Sequence, residues 1–237
     1  MIGSTVWTAF LVNGFCAAVA FAAGSITLSG AFGGIFVGTW IYSFLGFRGF
    51  LVLGIFFLLG SLFTRFGYPI KKKKGIAEKQ RGRRTYREAV ANGLVGCLFA
   101  ALSFWTGHFL YRVAFVASFA TALADTTATE LGSLYGRHPT LPFSSKKVSP
   151  GMPGAVSLEG TLFGIAASLV LAGASVFLSL VEKSDIFPIV LSATFGFLAE
   201  GFLARLPFPV GHGTRNFLNT LLGSAMVILL EWRRYGL

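Results

Sequence analysis

The sequence predicts an all-α, polytopic integral membrane protein with about eight transmembrane helices. Three observations lead there. Only 12% of the 237 residues are charged, whereas a soluble domain carries about a quarter. Hydrophobic residues make up 54% of the chain and the mean hydropathy is +0.71. Apolar runs of about 20 residues, the length that crosses a bilayer as a helix, recur from one end to the other.

The predicted spans are 4–26, 28–46, 49–67, 89–107, 112–132, 158–181, 186–205 and 215–231. The first begins near Ser4 without a basic leader and is followed by many more, so it reads as a span and not as a cleaved signal peptide. In the second, Gly30, Gly34 and Gly38 recur at four-residue steps, which predicts a close-packing face for a neighbouring helix. The chain reads as one membrane domain, 1–237, interrupted by a basic loop at 68–88 and a Gly/Pro loop at 133–157. Cys16 and Cys97 lie inside apolar runs with no partner spacing, so neither a disulfide nor a metal knuckle is expected.

Orientation follows from the basic residues. The loops after spans three, five and seven hold 15 of the 20 Lys and Arg residues, which predicts that these loops are cytoplasmic. Arg233 and Arg234 dissent, leaving seven or nine spans open. With this orientation the polar clusters of the apolar segments share one face: Asp125 and Glu130, Ser157 and Glu159, Glu200, and Asn216 and Asn219. A single active site accounts for such convergence.

Four clusters carry candidate chemistry. In ADTTATELG, Asp125, Thr129 and Gly132 share one helix face while Thr126 and Glu130 share another. The two acids are about 140° apart on a regular helix, so they meet one ligand only if the helix loosens. Carboxylates and hydroxyls are hard oxygen donors suited to Mg²⁺ on substrate phosphates; the alternative is that both acids pair with arginines and only fix the helix. In the basic loop, Lys71–Lys73 read as a topology signal or lipid-headgroup anchor. The following KGIAEKQRGRR is broken by Gly75, Glu78 and Gly82, and offers Lys74, Lys79, Arg83 and Arg84 to a polyphosphate ahead of a helix that carries Asn92. The third cluster, KKVSPGMPGAVSLEG, supplies Lys147, a turn at Gly151 and Gly154, and a helix start at Ser157 and Glu159, an arrangement open to phosphate or to plain capping. No GxxxxGK[ST] or GxGxxG motif is present. In RNFLNTLLGS, Asn216 and Asn219 lie one turn apart and could hold a nucleotide sugar or base, or bridge helices. His108, His138 and His212 are scattered, and none is expected to bind metal.

KGIAEKQRGRRTYREAVANG, ADTTATELG, the turn leading into VSLEGTLFG, and RNFLNTLLG occur here in the order found in the membrane family of the plant and cyanobacterial phytyl-phosphate kinases. The chain resembles that family over nearly its whole length. The resemblance implies a kinase that converts an isoprenoid monophosphate to the diphosphate, with CTP as donor and Mg²⁺ as cofactor. Asp125 and Glu130 match its acidic motif, and Lys79, Arg83 and Arg84 its basic loop. From the chemistry of the four clusters, Asp125, Glu130 and Glu159 are expected to hold the metal. Lys74, Lys147, Gly151, Gly154, Ser157, Asn92, Asn216 and Asn219 are expected to contact nucleotide or phosphate. Two places depart from the pattern: Met152 and Pro153 stand where a polar residue is expected, and Glu200–Gly201 where relatives tend to have Asp–Ser. Two rival readings remain, a transporter or lipid scramblase and a cytidylyltransferase that forms a CDP-lipid. The expected partners are membrane lipid, an isoprenoid phosphate and a nucleoside triphosphate, with no nucleic acid. The expected location is the inner or a photosynthetic membrane.

Overall fold

The structure is a computed structural model and describes residues 2–141, 147–149, 152, 154–203 and 211–236. Its long helices are α1 (Ile2–Ala22), α2 (Leu28–Arg65), α4 (Tyr86–Thr106), α5 (Leu110–Tyr135), α6 (Leu158–Phe177), α7 (Ile186–Leu203) and α8 (His212–Tyr235), with a short α3 (Tyr68–Lys73) between α2 and α4. Each predicted span thus falls on helix. Four of these helices are long and apolar enough to cross a membrane: the α1 segment Thr5–Ala22, α2, α4 and α6.

At 38 residues, α2 would be about 57 Å long if straight. It is instead a hairpin of two arms. Gly46 adopts φ 64°, ψ −163° and breaks the helix, at the boundary predicted between spans two and three. A Cβ on Gly49 would stand 3.3 Å from Cγ2 of Ile41, although eight residues along one helix would separate them by about 12 Å. The far ends of the arms also meet, since both Gly30 and Gly60 touch Arg84.

Local chemistry sets the helix ends. Thr27 accepts from the Gly30 N–H at the start of α2. Thr85 and Glu88 form a reciprocal capping box at the start of α4. Ser157 caps α6 by accepting from the Gly160 N–H at 3.1 Å.

The packing places small residues inside and large apolar ones outside, as a lipid solvent allows. α5 runs through the middle against α2, α4, α6, α7 and α8, and Val113 to Ala124 are buried all round. Alanines at 114, 117, 120, 122 and 124 line this core, while Phe15, Trp7, Leu11 and Phe177 face outward. Between α5 and α6 the backbones touch: a Cβ on Gly160 would meet the Ala128 carbonyl at 2.8 Å, and one on Gly164 the Ala124 carbonyl at 3.0 Å. The predicted glycine row of α2 is corrected in one place. Gly30 and Gly38 are contact points, but Gly34 has nothing within 4 Å and Gly33, against Tyr86 and Ala89, takes its role. Buried hydroxyls bond back to their own helix, Thr121 to Ala117 O and Ser175 to Leu171 O, both at 2.8 Å.

The dissenting Arg234 is compensated where it stands. Its guanidinium reaches Glu182 at 2.6 Å, Asp185 at 3.1 Å and Glu231 at 3.4 Å. Three carboxylates around one arginine leave no net positive charge there, and the Tyr235 hydroxyl donates to Asp185 at 2.8 Å.

Candidate functional site

At the basic end of the bundle the last turns of α5, the start of α6, the Gly/Pro segment, Gly201 of α7 and the start of α8 enclose a cavity of about 220 Å³. Asp125, Thr129, Glu130, Gly154, Ser157, His212 and Arg215 line it, and the 76–78 segment closes one side with Ile76 and Glu78. The Gly/Pro segment reaches over the cavity because it folds on itself. Thr140 and Val156 exchange two backbone hydrogen bonds of 2.8 Å, and Gly154 turns with φ 77°. Residues from all four predicted clusters therefore reach one cavity, the basic loop through Ile76 and Glu78.

The acids divide into three situations. Asp125 is partly buried on the cavity wall. Glu130 also lines the cavity, but its Oε2 accepts from Lys71 Nζ at 2.6 Å. Here the expectation for Lys71 is corrected: it is no headgroup anchor. Its side chain is fully buried and donates to Thr64 O at 2.6 Å and Phe63 O at 3.1 Å as well. An ammonium has three protons, and these three acceptors use them. Glu159 turns away toward Arg137, whose Nε is 3.9 Å from its Oε1, and it is not among the cavity-lining residues. α5 remains helical through Tyr135, so Asp125 and Glu130 view the cavity from different sides.

Most of the basic loop lies elsewhere. Lys79 is exposed, and Lys74 Nζ is 3.4 Å from Ser133 O. Arg83 donates from Nε and NH2 to Ile26 O, at 3.1 and 2.8 Å. Arg84 ties the rim together: its backbone N–H and carbonyl bond Ser25 and Thr27, each at 2.9 Å, and its guanidinium is 3.6 Å from Glu88. Lys147 is exposed beside the Thr140 bridge. Gly151, Pro153 and the side chain of Glu200 lie outside the described residues; Met152 and Gly201 line the cavity.

The amides are buried. Asn92 donates to Glu88 O at 3.0 Å. Asn219 is wholly buried, and neither its Oδ1 nor its Nδ2 has a hydrogen-bond partner among the described residues. The same holds for Asn216 Oδ1 and Thr127 Oγ1. Gly223 packs on Thr121, with a would-be Cβ 2.1 Å from Thr121 Oγ1. The antiparallel course of α5 and α8 then puts Asn219 and Asp125, each one turn further toward the basic end, at the same level. Orphaned buried polar atoms cost about 1–3 kcal/mol each, and several groups at this level keep hydrogen-bonding capacity unused among the described residues.

Sequence reasoning passed over Lys71, Glu78, His212 and Arg215 as site residues. One signal for Lys71 was present. Four successive lysines on a helix sweep about 300°, so one of them must face inward.

Among the described residues no group of three or more His, Cys, Asp or Glu side chains could hold a metal. Any Mg²⁺ here would need ligands from a substrate, which is how Mg²⁺ binds at phosphoryl-transfer sites, through one or two carboxylates plus phosphates. Asp125 and Thr129, one turn apart on one face of α5, fit that mode; Glu130, bonded to Lys71, stands on another side of the helix.

A helical membrane bundle with acids and bases gathered around a cavity at one rim defines the class of this protein. The chain belongs to the integral membrane protein family DUF92, whose model matches residues 11–204, and that membership bears out the resemblance drawn from the four motifs. It is 32% identical over 218 residues to Protein VTE6, chloroplastic, of Arabidopsis thaliana, covering 87% of this chain and 65% of the plant protein. An uncharacterized membrane protein of Synechocystis is 36% identical over 203 residues, 82% of this chain and 78% of its own. Another, from Methanocaldococcus jannaschii, is 33% identical over 142 residues, 60% of this chain and 58% of its own. No solved structure matches the chain.

Proposed function

We propose that this protein is a membrane phosphotransferase that moves the γ-phosphoryl group of a nucleoside triphosphate, CTP being the expected donor, onto an isoprenoid monophosphate. The observation that carries this reading is the meeting of Asp125, Glu130, Glu78, Arg215 and the Gly154–Ser157 turn around one cavity at the rim of a lipid-embedded bundle. Cation-binding and anion-binding groups side by side suit a metal–polyphosphate. A cavity opening at the membrane edge suits an acceptor whose chain stays in lipid.

An acceptor phosphate is already an anionic nucleophile, so the reaction needs no strong base. Its oxygen forms a bond to the γ-phosphorus, the bond to the bridging β-oxygen breaks, and the nucleoside diphosphate leaves with that electron pair. The protein contributes positioning and charge neutralisation. Asp125, with Thr129 one turn along, would hold Mg²⁺ together with the substrate phosphates, and Glu130 would serve as the counter-charge of Lys71; the ion would neutralise charge on the transferred group. Arg215 lies on the same wall and meets phosphate oxygens, and the Asn216–Asn219 level accepts the sugar or base. On this reading the rim faces the cytoplasm, or the corresponding side of a photosynthetic membrane.

The test is to incubate purified protein with labelled CTP, other triphosphates and prenyl monophosphates, and to weigh the products. Label in a prenyl diphosphate, lost in Asp125→Asn while the fold persists, is the expected result. A CDP-linked lipid would establish cytidylyl transfer instead. No transfer from any donor, together with no thermal stabilisation by triphosphate and Mg²⁺, would remove the enzyme reading in favour of transport.

A further inference from the structure

Apart from the acidic cavity, the same rim carries a second concavity of about 600 Å³, lined by Gly24, Arg65, Gln80, Arg81 and Arg83. Among the described residues three guanidiniums line it and no carboxylate does. Among the described residues none of the three forms an ion pair. The nearby acids are committed elsewhere, Glu88 to Arg84 and Glu78 to the wall of the other cavity.

Two of these arginines are held by main-chain carbonyls of the turn between α1 and α2. Arg65 donates to Gly24 O, and Arg83 donates twice to Ile26 O, at 3.1 and 2.8 Å. Carbonyl contacts fix a guanidinium without cancelling its charge, and they leave part of its five N–H donors for a ligand. The third, Arg81, sits on an unusual turn. Gln80, Arg81 and Gly82 follow one another with φ of 53°, 60° and 71°, a left-handed path that side chains other than glycine rarely take. Packing retains it: a Cβ on Gly82 would lie 2.8 Å from Thr64 Cγ2. Such conformations persist where the surroundings over-determine them, often at ligand clamps.

The neighbours are apolar. The Arg83 guanidinium lies 5.6 Å from the centroid of the Phe21 ring. Phe21 and Phe66 are both exposed at this end of the bundle, and α1 leads away from it with Phe15, Leu11 and Val19 exposed along its length. Three like charges in one concavity repel until an anion joins them, and guanidinium forks match phosphate oxygens in pairs.

We propose that this concavity binds the phosphate head of a membrane amphiphile, its chain lying along α1, at a site separate from the Asp125 cavity. The ligand is either an anionic phospholipid or a prenyl phosphate, and the site stands whether or not the protein is a phosphotransferase.

Native mass spectrometry of the purified full chain in mild detergent tests it, with phosphatidic acid, phosphatidylcholine of the same chains, a prenyl monophosphate and inorganic phosphate as probes. Phosphatidic acid or the prenyl phosphate should be retained well above phosphatidylcholine, and whichever is held more tightly identifies the source. Arg65→Gln and Arg81→Gln should each weaken retention about fivefold, the effect of one basic charge at a membrane surface. Asp125→Asn should leave phosphatidic acid retention unchanged. Arg81 is exposed and makes no hydrogen bond or ion pair among the described residues, so its variant puts no structural contact at risk. Equal retention of phosphatidylcholine, undiminished affinity in Arg81→Gln, or binding of inorganic phosphate without lipid would each overturn the proposal.

Discussion

Removing the carboxylate from the Lys71–Glu130 pair should destabilise the protein far more than removing the pair. Lys71 is wholly buried and its ammonium has three acceptors, Glu130 Oε2 and Thr64 O at 2.6 Å and Phe63 O at 3.1 Å. In Glu130→Gln the two carbonyls remain but the counter-charge is gone, and breaking a buried pair costs about 3–5 kcal/mol. Because two partners survive, the lower figure applies. About 3 kcal/mol corresponds to about 6–12 °C in Tm for a chain of this size. Lys71→Met strands the carboxylate instead and should cost a similar amount. Lys71→Met with Glu130→Gln leaves no buried charge and should recover most of the loss, so that the double variant loses less than either single one and the two losses are far from additive in the double-mutant cycle. Thermal unfolding in detergent, followed by size-exclusion chromatography with fluorescence detection, measures all three. Single variants within 1 °C of the parent, or losses that simply add, would refute the account of Lys71 as a buried latch.

Three further outcomes follow from other parts of the molecule. Asn219→Leu removes an amide with no partner at either end among the described residues, so stability should hold or rise while phosphoryl transfer falls at least tenfold; a stability loss with intact turnover would make Asn219 a packing residue. Gly160→Ala places a methyl 2.8 Å from the Ala128 carbonyl, whereas Gly34→Ala meets nothing within 4 Å. Unfolding scans should therefore show a loss of about 1–3 kcal/mol for the first and a gain of up to about 1 kcal/mol for the second. Beyond the last apolar run, burial first and then its hydrogen bond to Asp185 push the Tyr235 phenol above the usual tyrosine range. A folded pKa above the unfolded one means stabilisation that is complete below about pH 10 and lost as pH rises toward the folded value. Stability measured from pH 8 to 11 should fall less steeply in Tyr235→Phe than in the parent.

How much of this was legible in advance differs by element. The eight helical segments followed from apolar run length, and even the break in α2 was placed correctly, because a 38-residue apolar stretch exceeds a bilayer and must turn. The rim location of Asp125, Glu130, Ser157 and Asn219 followed from charge bias, a one-dimensional property. The partners did not follow. Glu130 was expected to seek metal or an arginine and instead meets Lys71, which stands 59 residues away. Arg83 was expected at the nucleotide and instead holds the turn between α1 and α2.

By itself the sequence determined what depends on composition and period: a membrane solvent, helices of spanning length, and one end of the bundle rich in polar chemistry. The tertiary structure alone decided which lysine of a run of four goes inside, which arginines line the acidic cavity and which a separate basic concavity, and which amides have no partner among the described residues. The reason is that a side chain's charge state and partners are set by atoms within a few ångströms, and in a bundle of antiparallel helices those atoms come from segments tens of residues apart.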